Sequence, residues 1–459
     1  MSSLYWLYCA QQPALILLLF KWLRTQSGVH EFILFPVLVA SFNSAFPMLF
    51  AMRLGESQIN FYSALQATEF VGVHGLDAII ALSNIVSFRL LYTFIKKSKE
   101  HTRKLTMPVS ISASILVAWI AYGHVSFTAW EDKQKNWQST QIGIVQPNEK
   151  PRLSKTISYP GFSKAYPPEM AMTERLSKQG AELVIWPEAQ AKAYLNNPLI
   201  SAAYQRNVAK LNTSLMFQDT EQIKNQKNGK NIQQFNSAIL LNQNGAQTGQ
   251  YQKLKRVPFG EYIPLISESN YLRNKTKVFL GDFLNEISKG EGHQTFNHKS
   301  INIIPLICYE TTFPSFVANA VKNSIINSKH SRGHVLIALS NDGWFGSTHL
   351  PYQHVMGSVL RAVENRTPLV HVANNGPSIA VSPSGRITFT SEFQRSGGYI
   401  TDVSHSKSTE GSFYSQYPMA FIYTVYAILL ASILVAIARV LNKHRIRPSH
   451  YSKPTTAKP

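Results

Sequence analysis

A layered α/β domain inserted between transmembrane α-helices is the fold class this sequence predicts, and three observations predict it. Long apolar blocks sit at the two ends of the 459-residue chain, and a mixed-polarity stretch of roughly 300 residues lies between them. Within that stretch, short apolar runs alternate with helical patterns, the arrangement of strands packed under helices. Basic runs flank the apolar blocks, as in Lys96-Lys97-Ser98-Lys99 and Lys443-His444-Arg445-Ile446-Arg447, and such runs set membrane orientation.

A spanning helix needs about 20 predominantly apolar residues. Five segments are candidates: 3–22, 31–52, 73–95, 107–125 and 418–440. Gln11, Gln12 and Pro13 interrupt the first, and Asn43 with two prolines marks the second. The third carries Asp77, Asn84 and Arg89; inside a bilayer such groups face other helices or a cavity. No cleavage site follows the first segment, which is therefore expected to be a retained helix. The positive-inside rule puts loop 96–104 and the tail 442–459 in the cytoplasm. Helix 107–125 then runs outward and helix 418–440 returns. The expected organisation is a membrane domain over 1–125 with four helices, a globular domain over 126–417 on the outer face, a C-terminal helix over 418–441 and a basic tail over 442–459. The N-terminus is expected outside as well.

The net charge of +20 would suggest nucleic acid in a soluble protein, but much of the excess borders the membrane segments and no RNA-binding or helix-turn-helix pattern is present. No nucleic-acid partner is expected. Cys9 and Cys308 are the two cysteines, too few for a disulfide framework.

In the globular block the candidate strands are Ile142–Val145, Leu183–Trp186, Ala238–Leu241, Ile303–Ile307, Val335–Leu339 and Leu369–Ala373. Their near-continuous apolar character predicts strands buried on both faces. Helical patterns cover 168–179, 311–322 and 353–366. The polar stretches 219–235 and 266–298 read as long loops, of the kind that often act as lids.

Three strand ends carry reactive side chains. Glu188 closes Leu183-Val-Ile-Trp-Pro-Glu188; partial burial there would raise its pKa and suit it to proton transfer. Lys253 lies in Tyr251-Gln-Lys253, where a fixed cation would stabilise an oxyanion. Glu261 follows Gly260 and is expected at a tight turn, while Lys255 and Arg256 read as a solvated basic loop. Cys308 ends Ile303-Ile-Pro-Leu-Ile-Cys308 and is followed by Tyr309 and Glu310. A thiol entering a helix over 311–322 would have its pKa lowered by the helix dipole. Asn341–Gly346 reads as pocket wall, and Arg361, Glu364 and Arg366 as ion-pairing residues of one helix. The histidines lack metal-ligand spacing, and neither a phosphate-binding glycine loop nor a Gly-x-Ser-x-Gly elbow occurs, so no metal and no cofactor is expected.

Taken in order, WPE at 186–188, YxK at 251–253, VPFGEYIP at 257–264, ICYE at 307–310 and NDGWFG at 341–346 resemble the nitrilase, or carbon–nitrogen hydrolase, superfamily. QH at 353–354, RAVENR at 361–366 and the NNG turn at 374–376 are similar to its membrane-bound branch, the bacterial apolipoprotein N-acyltransferases. The likeness covers 140–405 and continues weakly through 45–84. It implies a nitrilase-type α-β-β-α sandwich and a Glu-Lys-Cys triad. By that resemblance Glu188 is the general base, Lys253 the oxyanion-stabilising cation and Cys308 the nucleophile, with Glu261, Tyr309 and Glu310 in support. It also implies a phospholipid acyl donor, a diacylated apolipoprotein acceptor, an inner-membrane location with a periplasmic catalytic domain, and a monomer. The same triad would serve a membrane-tethered amidase that passes the acyl group to water, or a divergent paralogue with an altered acceptor. The branch usually has about seven helices ahead of its domain and a Trp soon after a VQ-x-N strand end; four helices are counted here, and 145–159 holds no Trp.

Overall fold

The computed structural model describes residues 2–49, 53–96, 99–149, 160–189, 192–224, 232–264, 266–267, 269, 271–272, 275, 286–328, 332–407 and 410–445. The chain divides into two compact units, one of residues 1–48, 74–118 and 420–459, the other of residues 49–73 and 119–419.

The first unit is helical. Among the described residues, four helices are long and apolar enough to cross a membrane: Ser3–Gln26, Thr68–Ile95, Thr106–Gln134 and Ala420–Asn442. The expected span 31–52 is corrected. Its helix is Glu31–Ala45, 15 residues, which at 1.5 Å per residue is about 22 Å against a hydrocarbon core of roughly 30 Å. The stop is local: Phe46 precedes Pro47 and takes an extended backbone (ψ 122°), as a pre-proline residue prefers. Loop 96–104 is also shorter than expected, since helix already covers Lys99 onward. The polar residues of these helices pair with one another. Gln12 donates to Asn43 (3.0 Å), and Asn43 to Asp77 (3.1 Å). Glu31 pairs with Arg89 and, at 3.0 Å, with Arg24.

The second unit is an α-β-β-α sandwich of two six-stranded sheets. The first sheet contains β1 (Gln138–Gln146), β2 (Leu183–Ile185), β3 (Ser214–Lys224), β4 (Ile232–Leu241), β5 (Gln247–Gln252) and β12 (Gly397–His405), in the order β12-β1-β2-β3-β4-β5. The second contains β6 (Phe296–His298), β7 (Ile301–Ile307), β8 (Gly333–Ser340), β9 (Leu369–Ala373), β10 (Ile379–Val381) and β11 (Ile387–Thr390), in the order β11-β10-β9-β8-β7-β6. Each has a parallel centre, β1-β2-β3 and β7-β8-β9. Every residue of β7, β8 and β9 is buried, as strands covered on both faces require. Helices Pro168–Lys178 and Pro198–Leu211 pack on the first sheet, and Pro314–Asn327 and Leu350–Asn365 on the second.

Every predicted strand lies in one of these ladders. The polar stretch 219–235, expected as a loop, is strand through Lys224 and again from Ile232. Its register, from Asp219↔Ser237 to Lys224↔Ile232, shows a ribbon held by backbone hydrogen bonds, which polar side chains do not prevent. Of the expected loop 266–298, residues 296–298 form β6, and most of 265–285 lies outside the described residues.

Gly72 sets a break inside the helix Thr68–Lys96, at φ 64° and ψ −176°. A Cβ there would lie 2.4 Å from the Tyr414 ring. This backbone region is essentially restricted to glycine, and forcing it on another residue costs about 1–3 kcal/mol before any clash. Gly72→Ala is therefore expected to lower the thermal midpoint by about 2 °C or more. Scanning fluorimetry of the detergent-solubilised chain checks this, and an unchanged midpoint would refute it.

Candidate active site

Glu188 is placed by a buried aromatic anchor. Trp186, just past β2, packs edge-on or tilted against Tyr204 and Phe217, and its Nε1 donates to Thr173 Oγ1 at 2.8 Å. Burial of each such side chain stabilises by about 1.5–3 kcal/mol, so the chain two residues before Glu188 has little freedom. The Glu188 carboxylate accepts from Asn236 Nδ2 at 2.6 Å, and the nearby Cys308 thiol adds a small stabilisation of its charge.

Lys253 follows β5 with its backbone N–H on Asn236 O (2.8 Å). Its side chain is 1% exposed, with Nζ 2.7 Å from Glu261 Oε1 and 3.8 Å from Glu188 Oε1. Glu261 Oε2 also accepts the Val257 N–H at 2.8 Å. The tight turn before Glu261 is present, but its left-handed residue is Phe259 (φ 63°) rather than Gly260. Lys255 is exposed, within 5.1 Å of the Phe313 ring, and Arg256 stacks on Tyr262 at 4.3 Å.

Cys308 comes from the second sheet, directly after β7, so the cluster draws on strand ends of both sheets. It opens a single 3₁₀ turn, Cys308–Thr312, with φ 49°. The expected helix start at 311 is corrected to Pro314, because Phe313 is extended ahead of the proline. The expected lowering of the thiol pKa is also corrected. Burial and then the Glu188 carboxylate push it well up, and Lys253 opposes them. A helix that begins six residues further on leaves the dipole too weak to compete.

Glu310 fastens two candidate residues to one point. Its Oε2 accepts the Ile307 N–H (2.8 Å), just before Cys308. Its Oε1 accepts Tyr251 Oη (2.7 Å) and the N–H groups of Leu254 (2.7 Å) and Lys255 (3.1 Å), just after Lys253. Tyr309 points elsewhere, its hydroxyl donating to Leu49 O.

The charges order themselves from these distances. Burial raises the Glu188 pKa, against the pull of Lys253 and with the push of Glu261. Burial would lower that of Lys253, but the carboxylates of Glu261 and Glu188 outweigh it and drive it up. Lys253 is thus held as an ammonium beside Glu188 and Glu261, and burial keeps the Cys308 thiol neutral beside them. A thiol, a base near it and a fixed cation beside both can form and discharge a covalent acyl intermediate.

All six candidate residues fall in this unit. Glu188, Lys253, Cys308 and Glu261 share one cluster, Glu310 braces it, and Tyr309 faces away. Two contributors escaped the sequence reading. Asn236 sits inside a strand and had no motif to mark it. Asp342, within the segment read as pocket wall, accepts from His354 Nδ1 at 2.8 Å, and His354 Nε2 reaches the Cys308 carbonyl oxygen at 3.2 Å. Asp342, His354 and His371 bring polar atoms within 4.8 Å of one another. Both ring nitrogens of His354 are already engaged, so the group reads as a hydrogen-bonded core. Arg361 and Glu364 form the expected pair, fully buried (2.7 Å), while Arg366 pairs instead with Glu69 (2.7 Å). Of the Trp-less stretch 145–159, residues 150–159 lie outside the described residues.

A carbon-nitrogen hydrolase family model matches residues 116–409. The apolipoprotein N-acyltransferase of Geobacter metallireducens is 28% identical over 393 residues, covering 83% of this chain and 69% of that protein. The one from Rickettsia prowazekii is 29% identical over 378 residues, 81% and 69%, and that from Bdellovibrio bacteriovorus 24% over 420 residues, 86% and 72%. A membrane protein with four candidate spans, the chain is a homologue of apolipoprotein N-acyltransferases and belongs to the carbon–nitrogen hydrolase family.

Proposed function

We propose that this chain transfers an acyl group from a phospholipid, through a thioester on Cys308, to the α-amine of a diacylglyceryl-cysteine lipoprotein. The observation that carries the reading is the meeting of Cys308, Glu188 and Lys253 in one cluster, where the charges of Glu188 and Lys253 both act on the thiol. In the first half-reaction Glu188 takes the thiol proton as sulfur attacks the ester carbonyl. The Lys253 ammonium stabilises the resulting oxyanion. Collapse breaks the ester C–O bond, and Glu188 returns its proton to the departing lysophospholipid oxygen. In the second half the acceptor amine attacks the thioester, Glu188 takes a proton from nitrogen, and collapse releases the sulfur, which recovers that proton. Glu261 keeps Lys253 charged, and Glu310 holds the turn on which the thiol sits.

Both substrates are lipids, which suits a catalytic unit carried on membrane helices. The basic runs at 96–99 and 443–447 favour a periplasmic catalytic unit in a bacterial inner membrane. The test is mass spectrometry of the purified chain with phosphatidylethanolamine, beside Cys308→Ala. A hydroxylamine-labile acyl mass on Cys308 that a diacylated lipopeptide removes is expected. An adduct discharged by water alone would mark an amidase-like hydrolase, and no adduct would overturn the nucleophile assignment.

A further inference from the structure

Behind Cys308 stands a histidine with no part in that acyl-transfer scheme. His354, in the helix Leu350–Asn365, is 2.8 Å from Asp342 Oδ1 through Nδ1 and 3.2 Å from the Cys308 carbonyl oxygen through Nε2. Thr311 Oγ1 lies 3.0 Å from the same Nε2 and donates to the same carbonyl at 3.2 Å. A carboxylate and a carbonyl can only accept. A ring that donates to both carries a proton on each nitrogen, and the Asp342 carboxylate beside it favours that charged form.

The carbonyl it holds belongs to a strained residue. Cys308 has φ 49°, a conformation that costs a residue with a Cβ about 1–2 kcal/mol and persists only where its surroundings enforce it. On the N-terminal side Glu310 fixes the Ile307 N–H. On the C-terminal side His354 and Thr311 hold the Cys308 carbonyl. Without His354 the charged anchor is lost, and the Cys308–Tyr309 peptide can relax toward an ordinary φ that moves the thiol away from Glu188.

We propose that His354, bridging Asp342 to the Cys308 carbonyl as a doubly protonated ring, is a positioning residue that locks the nucleophile's turn. The proposal rests on Cys308 being the acylated residue.

The groups around the ring agree with this. Asp342 faces it from the turn after β8, braced by Ser340 Oγ at 3.0 Å. Cys308 and Thr311 face it from the turn after β7, and the Glu188 charge acts on it from the other sheet. His371 of β9 meets it edge to face, with ring centroids 4.9 Å apart. Burial and the His354 charge pull the His371 pKa down to about 3, so His371 stays neutral, its Nδ1 bonded to Ser358 Oγ at 2.8 Å. Burial would lower the His354 pKa, but Asp342 outweighs it and raises it. The Asp342 pKa moves the other way, because His354 outweighs its burial. A raised histidine pKa means the bridge is complete below the ordinary histidine range and is lost as pH climbs through the shifted value.

The experiment uses the full chain in detergent with Cys9→Ala, which leaves Cys308 as its single thiol. Two rates are followed from about pH 6 to 9: alkylation of Cys308 by iodoacetamide, and single-turnover thioester formation from phosphatidylethanolamine. His354→Ala should slow both on the order of 10- to 100-fold. His354→Gln keeps an N–H for the carbonyl but cannot titrate, so it should recover much of the rate and lose the high-pH decline in thioester formation. Asp342→Asn should move that decline to lower pH. His354→Ala at wild-type rates, or Gln and Asn variants with the wild-type pH profile, would overturn the proposal even where the wild-type thioester forms. A wild-type chain that alkylates with these dependences but never acylates would instead remove the acyl-transfer reading and leave the positioning role standing.

Discussion

Lys253→Ala should reduce thioester formation by 10³-fold or more. Losing one oxyanion donor already costs about 10²–10³ in turnover. Here the loss compounds, because Lys253 Nζ is the cation between Glu188 and Glu261. Without it two carboxylates face each other in a buried cluster, and one must take up a proton. Burial already raises the Glu188 pKa, so the proton settles on the base that should deprotonate Cys308. Lys253→Arg should not rescue the loss, since a planar guanidinium has neither the shape nor the single-point charge of the ammonium it replaces. Single-turnover acylation with phosphatidylethanolamine measures both variants. A Lys253→Ala rate within about tenfold of wild type would show that the cation is not at the oxyanion.

Glu310→Ala should be the most destabilising single change in the cluster. It strips the acceptor from Tyr251 Oη and from the N–H groups of Ile307, Leu254 and Lys255. Each buried donor left unpaired costs about 1–3 kcal/mol. Some relief comes from removing a buried carboxyl, whose pKa burial already raises. Four orphaned donors outweigh one relieved acid, so a net loss of about 4 kcal/mol or more is expected, against a typical total of about 5–15. Glu310→Gln should fall between, because it keeps one acceptor oxygen but turns an amide N–H toward another N–H. Denaturation in detergent should rank wild type above Gln above Ala. Equal midpoints for wild type and Glu310→Ala would show that backbone and water replace the carboxylate.

The readable parts of this fold were those where burial is continuous. β7, β8 and β9 are apolar at nearly every position and declare themselves as covered strands. β11 alternates half-buried and exposed residues, and β5 is polar at most positions and fully buried at one, so neither forms an apolar run. The outer half of β3 and β4 is polar because its stability comes from the ladder, which leaves no mark in composition. In the site, Glu188, Lys253 and Cys308 stood at strand ends beside sharp motifs. Asn236 had no motif, and His354 stood in the QH pair at 353–354 without a role, because the importance of each lies in which atom it touches. The thiol pKa went the wrong way for a similar reason: chain order placed a helix after Cys308, but only coordinates give the burial and the neighbouring carboxylate that outweigh a distant dipole.

Arg366 lies near the end of the second unit's sequence, yet its guanidinium grips Gln66 and Glu69 from the 49–73 segment, 300 and 297 residues earlier. The ribosome makes residues 49–73 first and must then produce nearly the whole remaining unit before their partner exists. At about 5–20 residues per second that interval is on the order of 15–60 s. Throughout it the early segment carries Glu69 and the Gly72 bend without the arginine and tyrosine that complete them. Folding of this unit is consequently a late event in synthesis. A gene fragment beginning at the first strand would encode Arg366 without Gln66, Glu69 and Ser126, the partners that receive it in the full chain.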